Sequence, residues 1–302
     1  MAHCRTGSVR SLDGVRGSPV PVDRNGHRTP PRANFNRAGG CCISGLDDAE
    51  VRKDTGIVAT HDRITSGKFR EENMDGFPVD SAIVEAMLVY AKRLVSRGFV
   101  TNTLGTVAVR VTNASHPSGV IYTKRKGVSL EEMTANDIAI TDGAGNLLHG
   151  VRAPSIGHQL NRAIFRDRPD IQAVIHVHPD DVIAYGVGAQ LEATLPIVSA
   201  DAALVLQKPV HILNASVNVE ADVSTVPDFI HLTNCFIMPN HGVTALGRDI
   251  SEAFHRLCTC VAEVRRINLA TLLSSASGHS VRLVSQEELD LMHEQGELVI
   301  YG

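Results

Sequence analysis

The sequence lacks the features by which membrane-spanning and secreted proteins are usually recognised. No run approaches the roughly 20 apolar residues that cross a bilayer, and the N-terminus has no apolar core of a secretory signal. The six cysteines, at positions 4, 41, 42, 235, 258 and 260, form neither a CxxC pair nor the spaced framework of a disulfide-rich protein. We expect a cytoplasmic protein with reduced thiols and no membrane partner.

Clustered positive charge is also missing. The formal net charge is -4 and the pI is near 6.4, whereas nucleic-acid binding needs Lys and Arg gathered on one face. A chain of 302 residues with 43% hydrophobic residues can bury a large core. These values predict a globular protein that does not bind nucleic acid.

Composition divides the chain in two. Residues 1–75 are rich in Gly, Arg, Pro, Ser and Asn and show no sustained apolar period, which predicts a disordered N-terminal extension. From Ile83 to Leu94 apolar residues repeat at helical spacing, and Gly98 lies where a helix would end. Residues 76–302 are therefore predicted to form one folded domain.

Within this domain helical and strand patterns are mixed. We predict a β-hairpin over 103–124, a strand at 138–141, a helix ending before Pro169, a strand at 173–178, a short helix after Asp180, a strand and turn over 235–247, and a long helix after Asp249. The stretch from Leu195 to Val226 reads as loop-rich. The pattern predicts a single α/β domain with an antiparallel or mixed sheet.

Three histidines stand out. His176 and His178 end the apolar run AVIHVH, and residues two apart on a strand share one face. His241 ends a second apolar run, and Gly242 permits a tight turn. Three neutral imidazoles suit Zn²⁺, Fe²⁺, Mn²⁺ or Co²⁺ with coordination positions left open, the arrangement of catalytic metal sites. The alternative is histidines bonded to backbone and water.

These residues resemble the class II aldolase/adducin family. The resemblance runs from about Val79 to Ile267 and is strongest in RDRPDIQAVIHVHP and MPNHGVTALGRDISEAF. It implies a three-layer α/β/α domain with a mixed, largely antiparallel sheet, often assembled as a homotetramer. It also implies that His176, His178 and His241 hold one divalent metal ion per subunit.

The sequence departs from the family's sugar-phosphate enzymes at the substrate loops. Where those enzymes have an acid in a PSSE or PSSD stretch, this chain has Gly157, and their GTxGNxS and Ser-Gly loops are altered here. The charged run from Lys124 to Lys126 is either an attractor for a carboxylate or a solvated turn. By position in the family pattern, the candidate substrate-binding residues are Thr103, Gly105, Thr106, Lys126, Gly127, Ser155 and Gly157.

Loss of the acid at Gly157 shapes the functional prediction. His158 and Tyr301 are the candidate replacements for proton transfer. A metal site without its usual acid favours decarboxylation, or Fe²⁺/O₂-dependent oxidative decarboxylation, of a non-phosphorylated 2-oxo acid. The family branch that shortens prenylated 4-hydroxyphenylpyruvate in aminocoumarin biosynthesis, a secondary pathway, does such chemistry. The alternatives are an aldolase-type lyase or epimerase and a non-catalytic adducin-like interaction domain.

Overall fold

The computed structural model describes residues 76–113, 115–150, 154–188, 192–214 and 218–300. The predicted disordered extension over 1–75 and the candidate Tyr301 lie outside the described residues. Within the described part of the chain, no helix is long and apolar enough to cross a membrane.

The strands of the described residues form one mixed sheet. They are β1 Thr106–Asn113, β2 His116–Lys124, β3 Ile138–Asp142, β4 Leu147–His149, β5 Ala173–Val177, β6 His211–Ile212, β7 Cys235–Met238 and β8 Gly242–Gly247. Their order across the sheet is β4-β3-β2-β1-β5-β8-β7-β6. Only β6 and β7 pair in parallel, so the predicted largely antiparallel sheet is confirmed.

Helices cover both faces of the sheet. They are α1 Ser81–Ser96, α2 His158–Asp167, α3 Asp180–Gly188, α4 Ala200–Leu206, α5 Val226–Phe229, α6 Ile250–Ser277 and α7 Gln286–Ile300, with short 3₁₀ turns at Ala135–Asp137, Val223–Thr225 and Ile230–Leu232. One apolar core joins the sheet to α1, α3, α4 and α6, and a second joins the opposite face to α2 and α5. The three-layer α/β/α prediction is confirmed.

Strand β5 lies in the middle of the sheet, and the alternation of its side chains determines which face His176 points to. Ala173, Ile175 and Val177 face the core beneath α6, whereas Val174 packs in the core beneath α2. Because side chains alternate along a strand, His176 shares the α2 face with Val174. The metal-ligand candidate is thus directed toward the N-terminal end of α2.

The loop-rich interpretation of residues 195–226 was wrong over α4. This helix has only 7 residues, and the Ser199 side chain makes no capping hydrogen bond to it. The backbone N–H groups at the start of this helix have a partner distant in sequence. The buried Glu263 carboxylate of α6 accepts hydrogen bonds from Val198 N and Ser199 N. A helix of 7 residues spans only about two turns, too few to show a clear apolar period in the sequence.

Candidate metal centre

His176 is held in the tautomer that a metal ligand requires. Its side chain is 2% exposed, and its Nδ1–H donates to the Val243 carbonyl, with Thr244 Oγ1 also 3.0 Å away. A carbonyl oxygen can only accept, so the proton lies on Nδ1 and the Nε2 lone pair is free. Nε2 faces His178 Nε2 at 2.8 Å.

His178 and His241 complete a triad. His178 follows the end of β5, and His241 precedes β8 in a turn where Asn240 has a positive φ of 61°. The ring of His241 lies 5.1 Å from that of His176 and 5.0 Å from that of His178, measured between centroids. One nitrogen from each of the three rings lies within 4.8 Å of the others. The structure therefore brings together the three histidines chosen from the sequence.

Electrostatics keep the triad receptive to a cation. Burial, reinforced by the neighbouring imidazoles, lowers the pKa of His176 well below its usual value and the pKa of His178 to about 4. Both rings are therefore neutral at neutral pH, and neutral imidazole is the ligand form that binds metals. The donor set of three imidazole nitrogens fits a divalent transition metal.

Gly242 fixes the spacing between the two histidine-bearing segments. A Cβ atom at this position would clash with the Val177 carbonyl oxygen and would lie 2.7 Å from His178 Cδ2. We expect Gly242→Ala to separate β8 from β5 and to weaken Zn²⁺ binding by at least about 10-fold, the usual cost of disturbing a ligand's support.

A zinc competition titration measures this loss. The matched control is Gly188→Ala, because a Cβ there meets no atom within 4 Å. Equal zinc affinity in the two variants would contradict the close approach of β5 and β8.

The triad opens into a cleft of about 320 Å³. All seven substrate-binding candidates line this cleft: Thr103, Gly105, Thr106, Lys126, Gly127, Ser155 and Gly157. The loops that the family pattern picked out therefore meet at the metal site, although their role in binding substrate stays a prediction. A larger cleft of about 900 Å³ lies beside β2 and α2, but none of the triad histidines lines it. Chemistry, rather than volume, identifies the site.

Four further cleft residues were not among the candidates, and Lys124 is one of them. Its ammonium group is buried and donates to the carbonyl oxygens of Thr103 and Val128, which joins two cleft loops. Burial, with the charge of Arg125, lowers the pKa of Lys124 to about 8. Arg125 instead pairs with Asp137 at 2.5 Å, so only Lys124 and Lys126 of the basic run line the cleft.

Glu220 is the functional candidate that sequence reasoning missed. It is the only acidic residue among the described residues that line the cleft. Its Oε2 lies 3.4 Å from His241 Nε2, and its Oε1 lies 4.0 Å from His176 Nε2. Burial raises the pKa of the Glu220 carboxyl, and His241 opposes that rise. No motif surrounds Glu220 in the sequence, so only the folded chain reveals it.

The structure does not bring His158 to the cleft. Its ring is buried, its Nε2 contacts Thr141 Oγ1 at 3.0 Å, and burial with the charge of Arg162 lowers its pKa to about 4. Gly157 lines the cleft, but the next residue on the first turn of α2 points elsewhere. Adjacency in sequence was therefore a poor guide to proton transfer at this position.

Comparison with known proteins places this geometry in a family. The family model for the class II aldolase and adducin N-terminal domain matches residues 85–267, which contain the whole triad. The chain belongs to this family. The match stops within α6, so the C-terminal part of α6 and all of α7 lie beyond it.

Relatives within the class II aldolase/adducin family include both enzymes and adducins. The L-fuculose phosphate aldolase of Methanococcus maripaludis is 28% identical over 178 residues, which cover 58% of this chain and 89% of that protein. Human β-adducin is 30% identical over 182 residues, which cover 57% of this chain. The match spans only 24% of the length of β-adducin.

Solved structures agree on the fold. An L-fuculose 1-phosphate aldolase structure superposes with a TM-score of 0.62 at 21% identity, covering 72% of this chain and 97% of that chain. An aldolase II superfamily protein from Pseudomonas syringae gives 0.60 at 20% identity, covering 76% and 90%. At such identities the likeness confirms the class II aldolase fold and leaves the reaction to be argued from the site.

Proposed function

We propose that this protein is a divalent-metal-dependent lyase that cleaves a C–C bond next to a carbonyl group in a small molecule without a phosphate group. The convergence of His176, His178 and His241 beside Glu220 carries the proposal. Adducin-like binding needs no such cluster, and the retained triad argues against a purely non-catalytic domain. The enzymatic relatives support the same choice.

The three imidazoles would hold the ion and leave open positions toward the cleft. When bound, a divalent ion polarises a substrate carbonyl and stabilises the charge that develops as the adjacent C–C bond breaks. Zn²⁺ and Fe²⁺ are our first candidates, with Mn²⁺ and Co²⁺ as alternatives. The protein's own contribution is to keep His176 and His178 neutral and to orient His176 through Val243.

The cleft loops support a substrate that lacks phosphate. Thr106 replaces the asparagine of the family loop, and its hydroxyl lies 3.3 Å from Thr123 Oγ1 and accepts a hydrogen bond from Ser155 Oγ at 3.2 Å. Both hydroxyls of the Thr106–Ser155 pair are thus engaged inside the protein. Lys124 and Lys126 supply positive charge suited to a carboxylate.

Aldol-type cleavage is our first candidate because Glu220 supplies an acidic group that the sequence pattern had lost. Decarboxylation of a 2-oxo acid, with or without Fe²⁺ and O₂, is the second candidate. Lys126 favours it, because this exposed cation at the cleft can hold the carboxylate of such a substrate. A homotetramer in the cytoplasm stays a prediction for either reaction.

The test combines metal analysis with turnover. Protein purified without chelator is analysed by mass spectrometry for metals, then incubated with a panel of non-phosphorylated β-hydroxy ketones, β-hydroxy 2-oxo acids and 2-oxo acids, in air and without oxygen. We expect about one metal ion per chain and cleavage to two carbonyl fragments, abolished by EDTA and restored by added metal.

Other results separate the alternatives. Release of CO₂ without aldehyde would favour decarboxylation, and oxygen consumption with bound iron would favour its oxidative form. Protein that contains no metal, binds none when it is added, and turns over no substrate in the panel would contradict the proposal.

A further inference from the structure

Glu220 is fixed at the metal centre by its own loop. Its backbone N–H donates to Asn218 Oδ1 at 3.1 Å, and Ala221 N donates to the same oxygen at 3.3 Å. This turn directs the Glu220 side chain inward, where it is 16% exposed. Its two oxygens reach different triad residues, His176 and His241, so the carboxylate lies across the mouth of the triad.

Gly157 makes the space that this carboxylate occupies. A Cβ atom built at Gly157 would lie 2.7 Å from Glu220 Oε1, closer than real Cβ contacts allow. The backbone gives no other reason for glycine, because its φ of -70° and ψ of 4° suit other residue types. The missing side chain at 157 and the inward carboxylate at 220 are therefore complementary features of one site.

We propose that Glu220 is the catalytic proton-transfer residue of this site and that Gly157 is the positioning residue that admits its carboxylate. The assignment rests on the proposed lyase function. Among the described residues that line the cleft, Glu220 alone combines a carboxylate with direct contact to the triad. An ion held by the triad would lie beside Glu220, so a carbonyl that it polarised would bring the adjacent carbon within reach of this carboxylate.

The proton balance of the cleavage is simple. The hydroxyl proton of a β-hydroxy carbonyl substrate passes to the Glu220 carboxylate, the C–C bond breaks, and its electron pair passes into an enolate. One aldehyde is released, and one proton returned to the enolate carbon completes the second carbonyl product. The proton removed equals the proton returned, so neither oxidant nor reductant is needed. Glu220 exchanges the proton at the enolate carbon.

The primary test is Glu220→Gln, which keeps the size of the side chain and removes its base. Turnover with saturating Zn²⁺ is expected to fall about 10²- to 10⁴-fold, the usual contribution of general acid–base catalysis. Incorporation of solvent deuterium into the ketone product, followed by NMR, is expected to fall in parallel. Metal content and Co²⁺ affinity, measured independently of turnover, are expected to stay within about 10-fold of wild type.

Asp222→Asn is the matched control, because this exposed carboxylate belongs to the same loop and does not line the cleft. Its turnover is expected to stay within about 2-fold of wild type, since surface changes have small effects. Equal losses in Glu220→Gln and Asp222→Asn would indicate a loop effect and overturn the assignment.

A double-mutant cycle tests the role of Gly157 with little risk to folding. The tight contact of Gly157→Ala is with the flexible end of Glu220, and its contact with Thr106 Cγ2 at 3.6 Å is ordinary, so it should displace the Glu220 carboxylate and lower turnover about 10²-fold. In the Glu220→Gln background the same change should cost less than about 2-fold, because the base is already gone. Independent, multiplicative effects would overturn the positioning role.

A rescue test places a carboxylate at position 157 in a variant that lacks the one at position 220. Glu220→Gly is expected to be inactive, and adding Gly157→Asp or Gly157→Glu should recover at least about 10-fold, because either acid reaches the same space. Wild-type turnover in Glu220→Gln, or recovery of that variant by excess metal alone, would overturn the assignment of Glu220 while leaving the lyase function intact. Absence of wild-type turnover on the whole substrate panel would instead overturn the proposed function.

Discussion

His176→Ala is expected to release the metal and to lower turnover at least about 10⁴-fold, because the carbonyl-polarising charge is lost with the ion. His176 is the most enclosed ligand, at 2% exposure, and it is oriented by both Val243 and Thr244. Metal analysis of the purified variant, together with turnover of the best substrate from the panel, measures both effects.

A second variant and a control separate ligand loss from unfolding. Removing the buried His176 ring leaves the Val243 carbonyl short of a donor, which costs about 1–3 kcal/mol of stability. His178→Ala should also lose metal but should cost less stability, since His178 is only half-buried. The exposed His231 provides the matched control, His231→Ala, which should keep metal and turnover. A folded His176→Ala protein with full metal content would disprove the triad as the metal site.

The triad could be predicted because its signals are local. His176 and His178 share a two-residue strand period, and His241 ends a second apolar run in the same way. The two runs became β5 and β7, and β8, which follows His241, pairs with both of these strands, so the rings are brought together. The pattern predicts the site because an apolar strand must be buried, and a polar residue at the end of such a strand lies at the edge of a cleft.

Glu220 could not be predicted because nothing local marks it. It stands in a polar loop, and its role depends on two contacts distant in sequence, with Gly157 and with His241. Gly157 marks the loss of an acid in the sequence pattern, whereas in the folded chain its missing side chain leaves room for the Glu220 carboxylate. His158 is adjacent to Gly157 in sequence, yet the helical geometry of α2 directs its ring toward Thr141 and away from the cleft.

Helix α4 could not be predicted for a related reason. A 7-residue helix has little periodic signal, and its start is capped by Glu263 from α6. Sequence patterns predict the long elements of this fold because each buries a whole apolar face. Sequence patterns do not predict an element that is stabilised by a single side chain distant in sequence.

A second large effect is expected at Arg110, a buried cation in the fold outside the metal site. It lies on β1 at 7% exposure, and its guanidinium donates to Gln172 Oε1 and to four carbonyl oxygens, those of Phe165, Arg168, Pro169 and Ile171. These groups form the turn between α2 and β5. Arg110 therefore fixes the segment that leads directly into His176.

Arg110→Met is expected to lower the free energy of unfolding by about 3–5 kcal/mol, because it strips the donors from several buried carbonyls at once. The chain has no tryptophan, so urea unfolding is followed by far-ultraviolet circular dichroism. The matched control is Arg166→Met on α2, whose side chain is 63% exposed and pairs with Asp167. That change should cost less than about 0.5–1 kcal/mol, as exposed ion pairs do.

The comparison also tests how the fold supports the site. If Arg110 holds the turn before β5, then Arg110→Met should weaken Zn²⁺ binding even under conditions where it remains folded, while Arg166→Met should not. The expected loss of Zn²⁺ affinity is about 10-fold, because His176 keeps its hydrogen-bond partners but the segment before it is no longer held in place. Equal stability and equal zinc affinity in the two variants would show that the five hydrogen bonds of Arg110 are dispensable. The segment before β5 would then be held by apolar packing of Ile171 and Val174 alone.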